Sequence, residues 1–295
     1  MTRPLEPAKA TTAARTQTVQ VGDFSITAFV ERTFRLDGGT MFGVIPRVIW
    51  EKLVAPDEKN MVAMQTNLFL VTTPNGKKVL LDSGLGDTLS DFDRKMYNVT
   101  TPSKIVAGLA AAGATAEDID IVVLSHLHTD HVNGVYREDP HNPELLFRNA
   151  RHVVQQDEWE DALHPNERTA AVYFPNRLAA IERAGKLQLV SGRAEILSGI
   201  TVEQTGGHTR GHQGVSIQSR GETFVYFADI LPSRFHVKVP FVAAVDTYPM
   251  DTLQAKKKLL KFCEEHNAII GFDHDPEFMM GRLVQGPKWL DVGPV

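Results

Sequence analysis

The stretch that most constrains this chain is Ser125-His126-Leu127-His128-Thr129-Asp130-His131, which directly follows the apolar run Ile121-Val122-Val123-Leu124. A short unbroken apolar run reads as a buried strand, so the cluster is expected on a loop at that strand's carboxyl end. His126, His128, Asp130 and His131 all carry side chains that bind divalent metals. Alternation along an extended segment sends His126, His128 and Asp130 to one side, and a turn at Thr129 to His131 lets the last pair diverge toward a second centre. The plainer reading is a polar loop that caps the next helix. Chance rarely assembles this pattern, which favours the metal.

Further positions fit the same chemistry. His208 lies in Gly206-Gly207-His208-Thr209-Arg210-Gly211-His212, a glycine-rich turn where small residues permit close approach to the backbone. Asp229 ends a candidate strand over Thr223 to Ala228, and His274 follows another over Ala268 to Phe272, within Asp273-His274-Asp275-Pro276. A lone loop histidine is ordinarily a solvated side chain. Placement of all three at strand ends argues for convergence.

Composition narrows the remaining classes. At 295 residues the chain can bury a sizeable core, as one large α/β domain or two small ones. A net charge of −5 offers no footprint for nucleic acid. The single cysteine, Cys263, sits in Leu259-Leu260-Lys261-Phe262-Cys263 and reads as a core thiol, which leaves no disulfide and no thiolate zinc site. Residues 1 to 17 read as a flexible extension that lacks the apolar core of a signal peptide, and 18 to 295 as one catalytic domain. No run approaches a membrane span, so a cytoplasmic protein is expected. Exposed apolar loops make a homodimer an option, without any heptad to support it.

Patterning supplies the scaffold. Val19 to Phe34 alternates as a hairpin about Gly22-Asp23, and Asn67 to Thr72 with Lys78 to Leu81 forms a second, turning at Pro74-Asn75-Gly76. Helices are expected over Ser103 to Ala112, from Thr115-Ala116-Glu117-Asp118, over Asn176 to Ala184 and over Thr252 to His266. Arg151 to Gln155, Ile200 to Gln204 and Gly214 to Gln218 are further strands. Strands in two halves with helices between and after them suggest two sheets face to face, with helices outside.

The H-x-H-x-D-H run, the glycine-flanked His208, then Asp229, then His274 resemble, in that order, the binuclear members of the metallo-β-lactamase superfamily. The resemblance covers about residues 19 to 280 and implies a four-layer αβ/βα sandwich with metals at one edge. It implies that His126, His128 and His208 hold one ion, that Asp130, His131 and His274 hold the other, and that Asp229 bridges them. Five imidazoles and two carboxylates suit zinc, or iron, cobalt or manganese. Asp82, in Leu80-Leu81-Asp82-Ser83-Gly84, matches a carboxylate that orients a metal-bound histidine in this family; the alternative is a turn-forming Asp. His212 stands evenly between such a supporting role and a surface position at a helix end.

Two ions sharing a water would generate a bridging hydroxide, with Asp130 orienting it, and hydrolysis of an ester-like bond follows. Length and the segment Met41-Phe42-Gly43-Val44-Ile45-Pro46 look similar to N-acyl homoserine lactonases and methyl-parathion-type hydrolases. This points to lactones or related esters, with organophosphate triesters as a side activity. The lactonases usually carry a tyrosine three residues after the bridging aspartate, and this chain has Pro232 there. A mononuclear iron oxidoreductase such as a sulfur dioxygenase, a thiolester hydrolase of the same fold and a non-catalytic binding module are the alternatives. Met41, Phe42, Trp159, Tyr173, Phe174, Phe235 and His236 are the candidate pocket residues, with Met41 and Phe42 on a mobile glycine-bracketed loop.

Overall fold

The computed structural model describes residues 15–137 and 144–295. Alternation of side chains sets its layers. On the strand Met61–Thr72, Leu68 and Leu70 join one apolar cluster while Phe69 and Val71 join another, because successive residues face opposite sides of a pleated strand. Leu80 parts from Val79 and Leu81 in the same way on Lys78–Leu81, and Val122 parts from Ile121 and Val123 on Ile121–Val123. The first set packs beneath the helices Ile105–Ala111, Gln156–Leu163 and Pro175–Arg183 through Leu109, Trp159, Leu178 and Ile181. The second set meets Val202, Val215, Ile217, Phe224 and Tyr226 of a second sheet. That sheet's reverse, Val225 and Ile270, lies under Leu260 and Cys263 of the helix Pro249–His266. The layers therefore run helix, sheet, sheet, helix, and Cys263 is buried in the core as expected.

Among the described residues each of these two sheets has seven strands, and Tyr136–Arg137 pairs with Glu144–Leu145 in a separate two-stranded sheet. The first runs Thr16–Val21, Phe24–Asp37, Met61–Thr72, Lys78–Leu81, Ile121–Val123, Arg151–Gln155, Leu187–Val190. Its pairings are antiparallel up to Lys78–Leu81 and parallel from there on. The second runs Arg193–Leu197, Ile200–Gln204, Gln213–Ser219, Glu222–Tyr226, Ile269–Gly271, Met280–Gln285, Leu290–Gly293, parallel only between Glu222–Tyr226 and Ile269–Gly271. Parallel neighbours end at the same edge, so the turns after Leu81, Val123, Tyr226 and Gly271 emerge together and carry Asp82, His126 to His131, Asp229 and His274. Crevices outside the carboxyl ends of such strands are where ligands bind in α/β folds.

Several expectations are corrected. Gly38–Phe42 is a short helix, capped by Asp37 accepting from the Gly39 N–H at 2.8 Å, and Met41 and Phe42 are buried on it instead of riding a mobile loop. Trp50 stacks on Phe42 with ring centroids 5.2 Å apart and fixes that turn. The helix expected from Thr115 is a single 3-10 turn, Ala116–Asp118. The strand expected to reach Ala228 stops at Tyr226, because Ala228 has φ 39° and opens the turn that bears Asp229. Leu187–Val190, Arg193–Leu197, Met280–Gln285 and Leu290–Gly293 are strands the patterning did not signal. The first strand begins at Thr16, inside the expected extension, and residues 1 to 14 lie outside the described residues. Among the described residues no helix is long and apolar enough to cross a membrane.

Candidate metal centre

Past the strand, the segment Ser125 to His128 is held by Gln213. The Gln213 backbone N–H donates to Ser125 O and its side-chain amide to Leu124 O, each at 2.8 Å. The short helix Thr129–Val132 then presents Asp130 and His131. His131 Nδ1 donates to Asp82 Oδ2 at 2.9 Å, and the same carboxylate accepts from the Ser125 N–H at 2.7 Å, its hydroxyl at 2.7 Å and the Tyr226 hydroxyl at 2.6 Å. His208 Nδ1 donates to Asp246 Oδ1 at 2.8 Å, and Asp246 Oδ2 accepts from Thr252 Oγ1 at 2.6 Å. His274 Nδ1 donates to Gln65 O at 2.9 Å. One ring nitrogen of each of these three imidazoles is thus tied to the scaffold, which fixes its tautomer and turns Nε2 inward, where that of His208 also meets His128 Nδ1 at 3.0 Å.

Those Nε2 atoms converge on Asp229. Its Oδ2 lies 3.0 Å from His208 Nε2 and 3.8 Å from His126 Nε2, while its Oδ1 lies 3.2 Å from His274 Nε2 and 3.6 Å from His131 Nε2. Asp130 stands 3.5 Å from His274 Nε2 and 3.8 Å from His131 Nε2. Two donor groups result, His126, His128, His208 and Asp229, and His131, Asp229, Asp273 and His274, each with its donor atoms within 4.8 Å of one another. His126 Nε2, His128 Nε2, His131 Nε2 and Asp229 Oδ1 are buried without a hydrogen-bond partner. Orphaned buried polar atoms are costly, and so many in one place are what divalent cations would satisfy. The residues present fit the metal implied by the sequence, except that Asp130 falls outside both donor groups and Asp273 stands in the second.

Electrostatics agrees. Burial, reinforced by neighbouring imidazoles, pushes His126 and His128 well below the usual histidine range. Burial acts the same way on His131, His208 and His274, but there the carboxylates win. Asp229, Asp130 and Asp82 hold His131 well above its ordinary value, Asp229 and Asp246 raise His208, and Asp273, Asp229 and Asp130 raise His274 to about 10. Asp229 is held well below the carboxylate range in spite of burial, by His208, His131 and His274. Protons thus stand where cations would sit, and metal binding would expel them.

The other nominated residues divide. Asp82 occupies the orienting position beside His131. His212 is buried, its Nδ1 2.6 Å from Thr205 Oγ1 and its ring 5.3 Å from that of His126, so the surface reading is corrected. An open cleft of about 1240 Å³ has His128, Asp130, His208, Asp229 and His274 on its walls. Of the seven expected pocket residues, Met41 lines it and the others do not. Trp159 and Tyr173 are core, the latter donating to Glu158 at 2.8 Å. Phe174 lies under Arg177, and Phe42, Phe235 and His236 pack together behind Met41.

Four participants were not read from the sequence. Asp246 and Glu158 are far along the chain from what they support, and nothing local marks them. Glu158 accepts from the Leu127 N–H at 2.9 Å and from the Thr209 hydroxyl at 2.5 Å, joining the two metal-facing loops. Tyr97 is half-buried on the cleft wall with Asp130 and Asp229. Asp273 had a signal, its place next to His274.

Comparison with known proteins gives a consistent result. The family model described as metallo-beta-lactamase superfamily matches residues 61–274. The chain is 26% identical over 223 residues to the N-acyl homoserine lactonase AiiA of Bacillus thuringiensis subsp. kurstaki, covering 71% of this chain and 80% of that one. It is likewise 26% identical to the N-acyl homoserine lactonase AttM of Agrobacterium fabrum, with 71% and 81% covered. Among solved structures, a probable metal-dependent hydrolase from Staphylococcus aureus superposes with TM-score 0.84 at 32% identity over 90% of this chain and 94% of that one. AidC, a dizinc quorum-quenching lactonase, has the same fold, with TM-score 0.79 at 22% identity over 96% and 98%. With two mixed sheets enclosed by helices and a histidine–aspartate cluster at the strand ends, the chain belongs to the metallo-β-lactamase superfamily, as a hydrolase related to the lactonases.

Proposed function

We propose that the protein cleaves lactones or related esters with two divalent metal ions, zinc foremost, as a single cytoplasmic catalytic domain. His126, His128 and His208 would hold one ion, and Asp130, His131 and His274 the other, with Asp229 between them. The observation that carries this reading is the division of the Asp229 carboxylate, Oδ2 toward His208 and His126 and Oδ1 toward His274 and His131, at the wall of an open cleft. When bound, the ions supply Lewis acidity and a nucleophile at neutral pH.

This chain's own residues supply the rest. Asp130 faces the cleft and is placed to accept a hydrogen bond from an attacking water. Tyr97 supplies the donor that Pro232 cannot. Burial together with Asp130, Asp93 and Asp229 holds its phenol well above the usual range, so it keeps its proton for a substrate carbonyl. The cleft mixes apolar walls, Leu36, Met41, Phe92 and Val245, with both acids and bases, Asp57, Glu58, Lys59 and Arg168. Six carboxylates against three Lys and Arg side chains line it, so it offers no positive field for a polyanion and suits a neutral ester better.

The test is a panel of lactones, aryl esters, thiolesters, phosphotriesters, β-lactams and RNA offered to the metal-loaded protein. We expect lactone or aryl-ester hydrolysis that chelation abolishes and metal restores, near two equivalents of metal per chain, and loss of at least one ion in Asp229→Ala. RNA cleavage with no ester or lactone turnover, or one equivalent under replete conditions, overturns the reading.

A further inference from the structure

His274 Nε2 has carboxylates on three sides. Asp229 Oδ1 lies 3.2 Å away, Asp130 Oδ2 3.5 Å and Asp273 Oδ2 3.5 Å. Asp130 lines the cleft and Asp273 does not, so Asp273 approaches from the closed side of the same position. Its main chain is fixed there, since Asp273 O accepts from the Asn67 N–H at 2.7 Å. The residue is 2% exposed, and neither carboxylate oxygen has a hydrogen-bond partner.

Nearby buried carboxylates are not left in that state. Asp82 accepts from Ser125, His131 and Tyr226, Asp246 from His208 and Thr252, and Asp275 from the Arg234 guanidinium and three backbone N–H groups. Asp273 instead shares its condition with Asp229 Oδ1 and with Nε2 of His126, His128 and His131, the atoms that face the metal positions. Its donor atom falls within 4.8 Å of those of His131, Asp229 and His274. Ligand atoms about 2.0–2.2 Å from one ion stand no farther apart than this. A buried carboxylate with no hydrogen bond and the His274 imidazole 3.5 Å away is costly, and a divalent cation would satisfy it.

We propose that Asp273 is a further metal ligand, closing the position framed by His131, Asp229 and His274 from its buried side and leaving Asp130 toward the cleft. The proposal rests on the two-ion reading above. An extra oxygen donor raises the coordination number there and favours a harder, more octahedral ion than at the imidazole-rich position.

The experiment titrates the apo forms of the wild type, Asp273→Asn and Asp273→Ala with Co²⁺ and with Zn²⁺. Heat and visible absorption are recorded, and circular dichroism of each apo protein serves as the check on folding. We expect one of two equivalents to bind about 10- to 100-fold more weakly in both variants, with a stronger cobalt absorption from that equivalent as its coordination number falls. Unchanged affinities and unchanged cobalt spectra in the folded Asn variant overturn the proposal. So does a wild-type cobalt spectrum that shows four-coordinate ions at both positions, a measurement that needs no variant. Two ions with Asp273-dependent affinity but no ester turnover uphold the ligand and defeat the lactonase reading. Lactone turnover with variant titrations identical to wild type does the reverse.

Discussion

At the scale of single residues the site is a set of carboxylates that each do one job. Asp82 and Asp246 hold imidazoles by Nδ1, and Asp229 faces the Nε2 atoms with both oxygens. Tyr97 is the residue whose proposed role separates chemistry from metal binding, because it lines the cleft and a phenol is not among the imidazoles and carboxylates of the two donor groups. Tyr97→Phe removes one hydrogen bond to a substrate oxygen, a loss of about 1–2 kcal/mol or roughly 10-fold in kcat/KM. Metal content should stay at the wild-type value, as checked by elemental analysis alongside steady-state kinetics. A variant with unaltered kcat/KM would remove Tyr97 from the mechanism.

At the scale of elements the site depends on a clamp. The helix Gln156–Leu163 brings Glu158, fully buried, between the loop of His126 and His128 and the loop of His208. Close packing makes the contact obligatory, since a Cβ on Gly211 would stand 2.0 Å from the Glu158 backbone nitrogen. Glu158→Ala strands the Leu127 N–H and the hydroxyls of Tyr173 and Thr209 in the interior, at about 1–3 kcal/mol for each unsatisfied group. We expect a lower Tm in the apo protein and metal affinity weakened about 10-fold or more, with Glu158→Gln intermediate because it can still accept at one oxygen. Calorimetric melting with and without metal reads both effects, and an Ala variant that matches wild type in both would dispose of the clamp.

At the scale of the molecule, the sheet–sheet core carries stability and one buried base gives it a pH signature. Lys256, fully buried on the helix Pro249–His266, donates to Lys238 O and Phe241 O, and burial pushes its amine down to about 7 despite the nearby Asp246. Its ordinary value is about 10.4. Between those two values the unfolded chain holds a proton that the folded chain does not, so this contribution to stability is full above about pH 10.4 and is lost as the pH falls toward 7. In the metal-loaded protein, where the ligand imidazoles carry no titrating protons, unfolding free energy should rise with pH from 7 to 9 more steeply in the wild type than in Lys256→Met. Parallel slopes in urea titrations of the two proteins would contradict this assignment.

How much was legible follows from the range of each interaction. The apolar runs, both hairpins and the order His126, His128, Asp130, His131, His208, Asp229, His274 are written in local periodicity and spacing, and the fold answers to them. Strand alternation determined the four layers, because a residue's neighbours in sequence decide which face it joins. The partners of those residues were not legible. Asp246 is 38 residues from His208 and Glu158 is 31 from Leu127, and no pattern links positions that only sheet packing brings together. The pocket failed for a related reason. Aromatic content says that Phe42, Trp159 and Tyr173 must be buried, but whether burial means core or cleft is settled by how helices close over the sheets, and these three went to the core. Donor chemistry is a property of residue type and so belongs to the sequence, whereas the side from which Asp130 and Asp273 approach His274 is a property of the tertiary structure alone.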